Sequence, residues 1–226
     1  MANPRHMTQP TTTLALIGLG MVAPTYAEAI RTSPGLALKW VFARSADSRN
    51  RFAQAHSDLN AQKAHSIDQI AADPEVDFVL LTTPPDARQD IVATLAAAGK
   101  PVLMEKPIER TLRAATALVD TCKAAGVPRG IMLQHRARPL VADLHRCAAT
   151  LGPLRAVEIA VPWWRPQAYY DAPGRGTYAR DGGGVLINQA IHTLDLALQF
   201  TGPVTEVTAM TGTTGFHQME AEDFVA

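Results

Sequence analysis

The chain has 226 residues, 21 Lys and Arg against 21 Asp and Glu, a formal net charge of zero and a 47% hydrophobic fraction. That balance excludes the basic profile of a nucleic-acid binder and the acidic profile of a disordered chain, and no apolar run approaches the length of a membrane span. Residues 1–12 are polar, contain Pro4 and Pro10 and lack the apolar stretch of a signal peptide. They read as a loose tail on a cytoplasmic protein.

From Leu14 onward strand and helix signals alternate. Leu14 to Ile17 is a short apolar run that reads as a buried strand, and a helical pattern follows to about Arg31. Between them lies Gly18-x-Gly20-x-x-Ala23, a dinucleotide-binding fingerprint. Gly18 suits the tight turn, Gly20 lets a pyrophosphate approach the backbone, and Ala23 is small enough for helix to pack on strand. Pro24 is tolerated in the first helical turn. Unpaired N–H groups at that helix start, with Met21 and Val22 in the turn, would face the phosphates.

Leu36 to Ala43 reads as a second strand, Ser48 to Ala55 and Ser66 to Ala72 as helices, and Val76 to Leu81 as a third strand ending at Thr82-Thr83-Pro84. A helix over Asp86–Ala98, a strand over Pro101–Met104 and a helix over Thr111–Ala125 follow. This alternation predicts a parallel sheet with helices on both faces. The turns after Ile17, Ala43, Leu81 and Met104 should then ring one cleft at the carboxyl ends of the strands. They place Thr82, Thr83, Pro84, Glu105 and Lys106 beside the cofactor. The end of the second strand carries no carboxylate but Arg44 and Ser45. A guanidinium suits a 2′-phosphate, so NADP is favoured over NAD, while Asp47 three residues on keeps NAD open.

After Val127 the pattern changes. Ile131–Gln134 reads as a strand, Pro139–Thr150 as a helix, Leu154–Val161 as a strand, Val185–Thr201 as a helix and Val204–Gly212 as a strand. The expected architecture is α/β. A Rossmann domain over 13–127 is followed by a partial α+β domain over 128–226 with an open, mainly antiparallel sheet. Cys122 and Cys147 sit in helical segments without metal-ligand spacing, and no metal site is expected.

Three groups carry chemistry. Lys106, after the strand at Pro101–Met104, could bind a substrate hydroxyl and assist its deprotonation. Asn188, His192 and Asp195 recur at i, i+4, i+7 behind the run Gly182-Gly183-Gly184, and an imidazole titrating near neutrality can shuttle a proton. The loop carrying Trp164, Arg165, Tyr169 and Arg175 concentrates aromatic and guanidinium groups that could stack on a sugar or hold an anionic or hydroxyl-rich ligand.

With these motifs in order, the chain resembles the glucose-fructose oxidoreductase, inositol dehydrogenase and rhizopine-catabolism (Gfo/Idh/MocA) family. The resemblance rests on Gly18-x-Gly20-x-x-Ala23, Glu105-Lys106-Pro107, and Gly182-Gly-Gly through Asn188-x-x-x-His192-x-x-Asp195. It implies hydride transfer between a nicotinamide cofactor and a sugar, cyclitol or nucleotide-sugar carbon. Lys106 would be the catalytic residue, His192 its acid/base partner and Glu105 a contact to the nicotinamide-side ribose. It also implies homo-oligomers, dimers or tetramers, built through the open sheet of the second domain. Two positions depart from the family pattern. Asn188 stands where inositol-dehydrogenase-like members have Asp, so it can orient a hydroxyl but not deprotonate it. Arg88 stands where a His is common. Members are also usually longer than this chain, which leaves a second reading open: a truncated, non-catalytic dinucleotide-binding or assembly protein.

Overall fold

The computed structural model describes residues 11–226. Of the tail expected over 1–12, residues 1–10 lie outside the described residues, and Thr12 already opens the first strand. The chain divides into two compact units. One runs up to Thr83 and adds Ala87–Glu105 and Thr116–Gly130; the other comprises Pro84–Asp86, Lys106–Ala115 and Ile131–Ala226.

In chain order the first unit contains β1 (Thr12–Ile17), α1 (Ala23–Arg31), β2 (Leu36–Phe42), α2 (Ala46–Ala55), β3 (Gln62–Lys63), α3 (Ile67–Ala72), β4 (Phe78–Leu81), α4 (Gln89–Ala97) and β5 (Val102–Glu105). Next come α5 (Leu112–Ala124) and β6 (Arg129–Met132), and the sheet order is β3-β2-β1-β4-β5-β6. β1 pairs in parallel with β2 on one side and β4 on the other, Leu16 standing opposite Val41 and Leu80. A central strand has both faces covered, which explains why Leu14–Ile17 is wholly apolar rather than alternating. Leu14, Leu16, Val41 and Leu80 bury against Ala23, Ala27 and Ile30 of α1. Because the chain winds out from β1 in both directions, the strand order reverses between β1 and β4, and a crevice opens at their carboxyl ends. The sequence reading missed β3, two exposed residues paired with Trp40 and Val41. Nothing in Gln62–Lys63 has the apolar character that marks a strand.

The second unit holds α6 (Pro139–Thr150), the short α7 (Gln167–Tyr170), α8 (Ile191–Thr201), and an antiparallel pair of β7 (Thr211–Gly212) with β8 (Phe224–Val225). α6 starts with Pro in its first turn, as a pre-set φ favours. Two strand expectations fail here. Leu154–Val161 forms no ladder, and of Val204–Gly212 only Met210–Gly212 pairs, Met210 exchanging both main-chain bonds with Ala226. Strand character in a sequence reports side-chain pattern, but a strand exists only if a neighbour takes its N–H and C=O groups. Among the described residues no segment does so, and Leu154, Val157, Ile159, Val204 and Val207 stay exposed. The helix expected from Val185 is real but irregular. It opens with a π turn over Leu186–Ala190, in which Ile191 N–H donates to Leu186 O five residues back, and continues as α8.

Candidate active site

In the first unit, β1 ends in Gly18 at φ +96°, and a Cβ there would meet Thr83 N at 2.7 Å and the carbonyl carbon of Thr82 at 2.8 Å. The turn therefore needs glycine both for its left-handed backbone and for the approach of the β4 end. Thr82 Oγ1 donates to Gly18 O at 2.5 Å, tying the two strand ends together. A Cβ on Gly20 would meet nothing within 4 Å, so the backbone there is open to a ligand. Ala23 is fully buried, as its packing role requires. α1 has no side-chain cap at Val22 and begins with Pro in its first turn. Its first N–H groups are taken by main-chain oxygens, Ala23 by Gly20 and Thr25 and Tyr26 by Val22, which corrects the expectation of free donors at the helix start and leaves the Gly18–Val22 turn to face the phosphates. Thr83 Oγ1 is buried without a hydrogen-bond partner. An open glycine turn and an orphaned hydroxyl fit a dinucleotide pyrophosphate. Met21 is exposed in the same turn, and Pro84 is exposed but belongs to the second unit.

Arg88, which the sequence reading noted only as a departure, is the largest fully buried side chain. Its Nε and one terminal nitrogen donate to Thr83 O at 3.1 and 2.7 Å, and the other donates to Glu105 O. It therefore clamps the ends of β4 and β5. The Glu105 carboxylate accepts the Tyr26 hydroxyl of α1 at 2.5 Å, and burial together with that carboxylate pushes the Tyr26 pKa far up. At the end of β2, Ser45 caps α2 by accepting Ser48 N–H at 3.3 Å, while Arg44 is exposed. The Asp47 carboxylate is engaged by Arg51 one turn on.

In the second unit Lys106 Nζ donates to the main-chain oxygen of Asn188, in the π turn, at 2.7 Å. The Asn188 amide nitrogen turns back onto Gly183 O and Gly184 O, both at 3.0 Å, so its Oδ1 is the polar atom left for a ligand. His192 is 6% exposed and its Nδ1 has no hydrogen-bond partner. Burial first, then the Lys106 ammonium and His135, push its pKa down to about 4 against the pull of Asp195. This corrects the expectation of titration near neutrality: the ring is neutral at pH 7, since both desolvation and a neighbouring cation oppose a second proton. Asp195 is bound by Arg136, whose Nε donates to Oδ2 at 2.7 Å, and the His135 ring lies 5.5 Å from that of His192. His135 and Arg136 were missed. Their position just past a strand end was the available signal.

The triple glycine serves packing. A Cβ on Gly182 would meet Arg110 Cα at 2.7 Å, and one on Gly184 would meet Glu222 O at 1.7 Å. The Glu222 carboxylate accepts N–H groups of Gly184 at 3.0 Å and Leu186 at 3.2 Å, capping the helical segment from a distant part of the chain. The aromatic loop forms a separate group. Arg165 lies over Trp163 and Tyr169, Arg175 lies over Tyr169 and donates to its hydroxyl, and Trp164 packs on His217. The hydrogen bonds and ring contacts of Trp164, Arg165, Tyr169 and Arg175 do not include His192 or Asn188.

A family model described as oxidoreductase family, NAD-binding Rossmann fold matches residues 12–133, and the Gfo/Idh/MocA C-terminal domain matches residues 146–226. The chain belongs to the Gfo/Idh/MocA oxidoreductase family. It is 26% identical over 201 residues to scyllo-inositol 2-dehydrogenase (NAD(+)) of Bacillus subtilis, covering 88% of this chain and 56% of that one. It is 29% identical to D-apiose dehydrogenase of Paraburkholderia graminis, covering 87% and 52%. The chain thus spans about half the length of these relatives. The WlbA dehydrogenase of Chromobacterium violaceum, solved with NADH and UDP-GlcNAcA, superposes with a TM-score of 0.85 at 28% identity, covering 97% of this chain and 63% of that one. No helix among the described residues is long and apolar enough to cross a membrane.

Proposed function

We propose that the chain is an NAD(P)-dependent oxidoreductase acting on a CH–OH carbon of a sugar, cyclitol or nucleotide-sugar. The observation that carries this reading is the grouping of Lys106 with the π turn at Asn188 and the neutral His192, whose buried Nδ1 has no hydrogen-bond partner. The dinucleotide, held by Gly18, Gly20, Met21, Val22 and Ala23, with Thr82, Thr83, Pro84 and Glu105 beside it, supplies a hydride acceptor or donor when bound. Lys106 holds the substrate oxygen and stabilises its developing negative charge. His192, uncharged at neutral pH, takes the hydroxyl proton on oxidation and returns it on reduction. Asn188 Oδ1 accepts a hydroxyl hydrogen and so orients the carbinol, and the Trp164, Arg165, Tyr169 and Arg175 loop receives the rest of the substrate. Arg44, exposed at the end of β2 with no carboxylate beside it on that strand, favours NADP over NAD; Asp47 is already engaged by Arg51. The assembled protein is a homodimer or homotetramer.

The test is a titration with NADPH and NADH followed by a panel of polyols, sugars and nucleotide-sugars. Cofactor binding with turnover of at least one panel member is expected. Binding without turnover of any would favour a dinucleotide-binding or assembly role.

A further inference from the structure

The second unit contains a cleft of about 770 Å³, lined by Trp163, Trp164, Arg165, Tyr170 and Gln189 among mostly apolar neighbours. That is the size range of small-molecule sites, which pair apolar walls with a few placed polar groups. The polar lining of the cleft includes Gln189 and Arg165, and Arg175 stacks on Tyr169, the ring neighbour of the lining residue Tyr170. Gln189 is 5% exposed, and its amide faces the Tyr170 hydroxyl without meeting strict hydrogen-bond geometry. Each guanidinium carries five N–H groups. Arg165 donates none of them to another described residue, Arg175 donates only to Tyr169 OH at 2.7 Å, and the Nε of each is buried without a partner.

These two cations share one aromatic neighbour. Both guanidinium carbons lie within 5.4 Å of the Tyr169 ring centre. Among the described residues neither forms an ion pair. The unit's nearby carboxylates serve other groups: Asp223 is held by Thr214 and His217, Asp181 by Gly176 N–H, and Glu222 by Gly184 and Leu186 N–H. Guanidinium forks without a carboxylate partner suit an oxyanion ligand.

We infer that Arg165 and Arg175, with Gln189, form a recognition site for an anionic substituent on a sugar, a carboxylate or a phosphate, so that the substrate is an acidic rather than a neutral sugar. The oxyanion takes the two forks, Gln189 pairs with a hydroxyl or carbonyl of the same ligand, and Trp163 and Trp164 cover its apolar face. The word substrate here rests on the oxidoreductase reading; the binding site itself does not.

Isothermal titration calorimetry with glucuronate, glucose 6-phosphate and glucose separates the two anionic sources from the uncharged sugar. At least one charged sugar should bind tenfold or more tighter than glucose. R165Q/R175Q should lose that difference, while R165K, which keeps the charge without the fork, loses part of it. Circular dichroism of each variant identifies any that fail to fold, and R165K then carries the comparison. Equal affinity for glucose and both charged sugars, or a preference that survives in R165Q/R175Q, overturns the site. Turnover assays on the same proteins keep the two readings apart. Selective binding with no turnover under NAD(P) defeats the oxidoreductase and leaves the site standing. Oxidation of a charged sugar with the same kcat/KM in R165Q/R175Q as in wild type defeats the site and leaves the oxidoreductase.

Discussion

Lys106 Nζ donates to the main-chain oxygen of Asn188 at 2.7 Å, so a π turn helps to position the lysine. Lys106→Ala should leave NAD(P)H affinity within about twofold and lower kcat by about 10²-fold or more, the scale of a lost acid–base or charge-stabilising group. Fluorescence titration and steady-state kinetics on the same preparation check both halves, and unchanged kcat would remove Lys106 from the mechanism.

The depressed His192 pKa links stability to pH. The folded state holds the imidazole at about 4, below the ordinary value of 6.5 that the unfolded chain has. Between those values the unfolded state binds the extra proton, so its share of stability is complete above about 6.5 and is lost as pH falls towards about 4. Lys106, His135 and Asp195 all face the ring and set that balance. Urea midpoints of wild type and His192→Gln at pH 7, 5 and 4 should diverge in the acid arm, with the wild type losing more. Parallel curves would show that His192 does not titrate in that window.

Arg88 joins two strand ends that were expected to meet cofactor. Replacing it with Met leaves Thr83 O and Glu105 O without their buried donor, at roughly 1–3 kcal/mol for each such group. Arg88→Met should lower unfolding free energy by about 2–4 kcal/mol and weaken dinucleotide binding. Chemical denaturation and a cofactor titration measure the two effects; a stable variant with unaltered affinity would reduce Arg88 to filler.

Cofactor choice is testable at Arg44. Charge-assisted hydrogen bonds contribute about 1.5–3 kcal/mol, so Arg44→Ala should lower the NADP-to-NAD ratio of kcat/KM by about tenfold or more. An unchanged ratio would show that the guanidinium does not reach the 2′-phosphate.

Gly184 has no room for a methyl group, since a Cβ would stand 1.7 Å from Glu222 O. Gly184→Ala must displace the segment around Glu222 and with it the cap on the π turn. We expect a loss of about 3 kcal/mol or more, in the range of severe overpacking, read as a lowered thermal midpoint. An Ala variant as stable as wild type would mean that this segment packs elsewhere in solution.

Much of the fold was legible because its signals are local. The apolar run at Leu14–Ile17, Gly18-x-Gly20-x-x-Ala23 and the alternation to Gly126 each depend on neighbours a few residues apart, and four of the sheet's six strands follow them; β3 was missed, and β6, read as the opening of the second domain, completes the first sheet. Lys106, Asn188 and His192 were legible as motif positions. The separate surroundings of Arg165 and His192 were not, because sequence spacing says nothing about which distant loops touch. Arg88 looked like a mere substitution, and its burial depends on carbonyls 5 and 17 positions away in sequence.

The sequence alone determined the strand–helix alternation, the glycine turn and the identity of the chemical groups, since those are encoded by residue type and short-range periodicity. Only the tertiary structure decided that Asn188 holds Lys106 through its main chain, that His192 is neutral at pH 7, that the triple glycine accommodates Glu222, and that Leu154–Val161 finds no strand to pair with. Each of these depends on burial or on contact between residues far apart in the chain. Desolvation, steric exclusion and hydrogen-bond partnership arise from three-dimensional neighbours, and a linear pattern does not specify them.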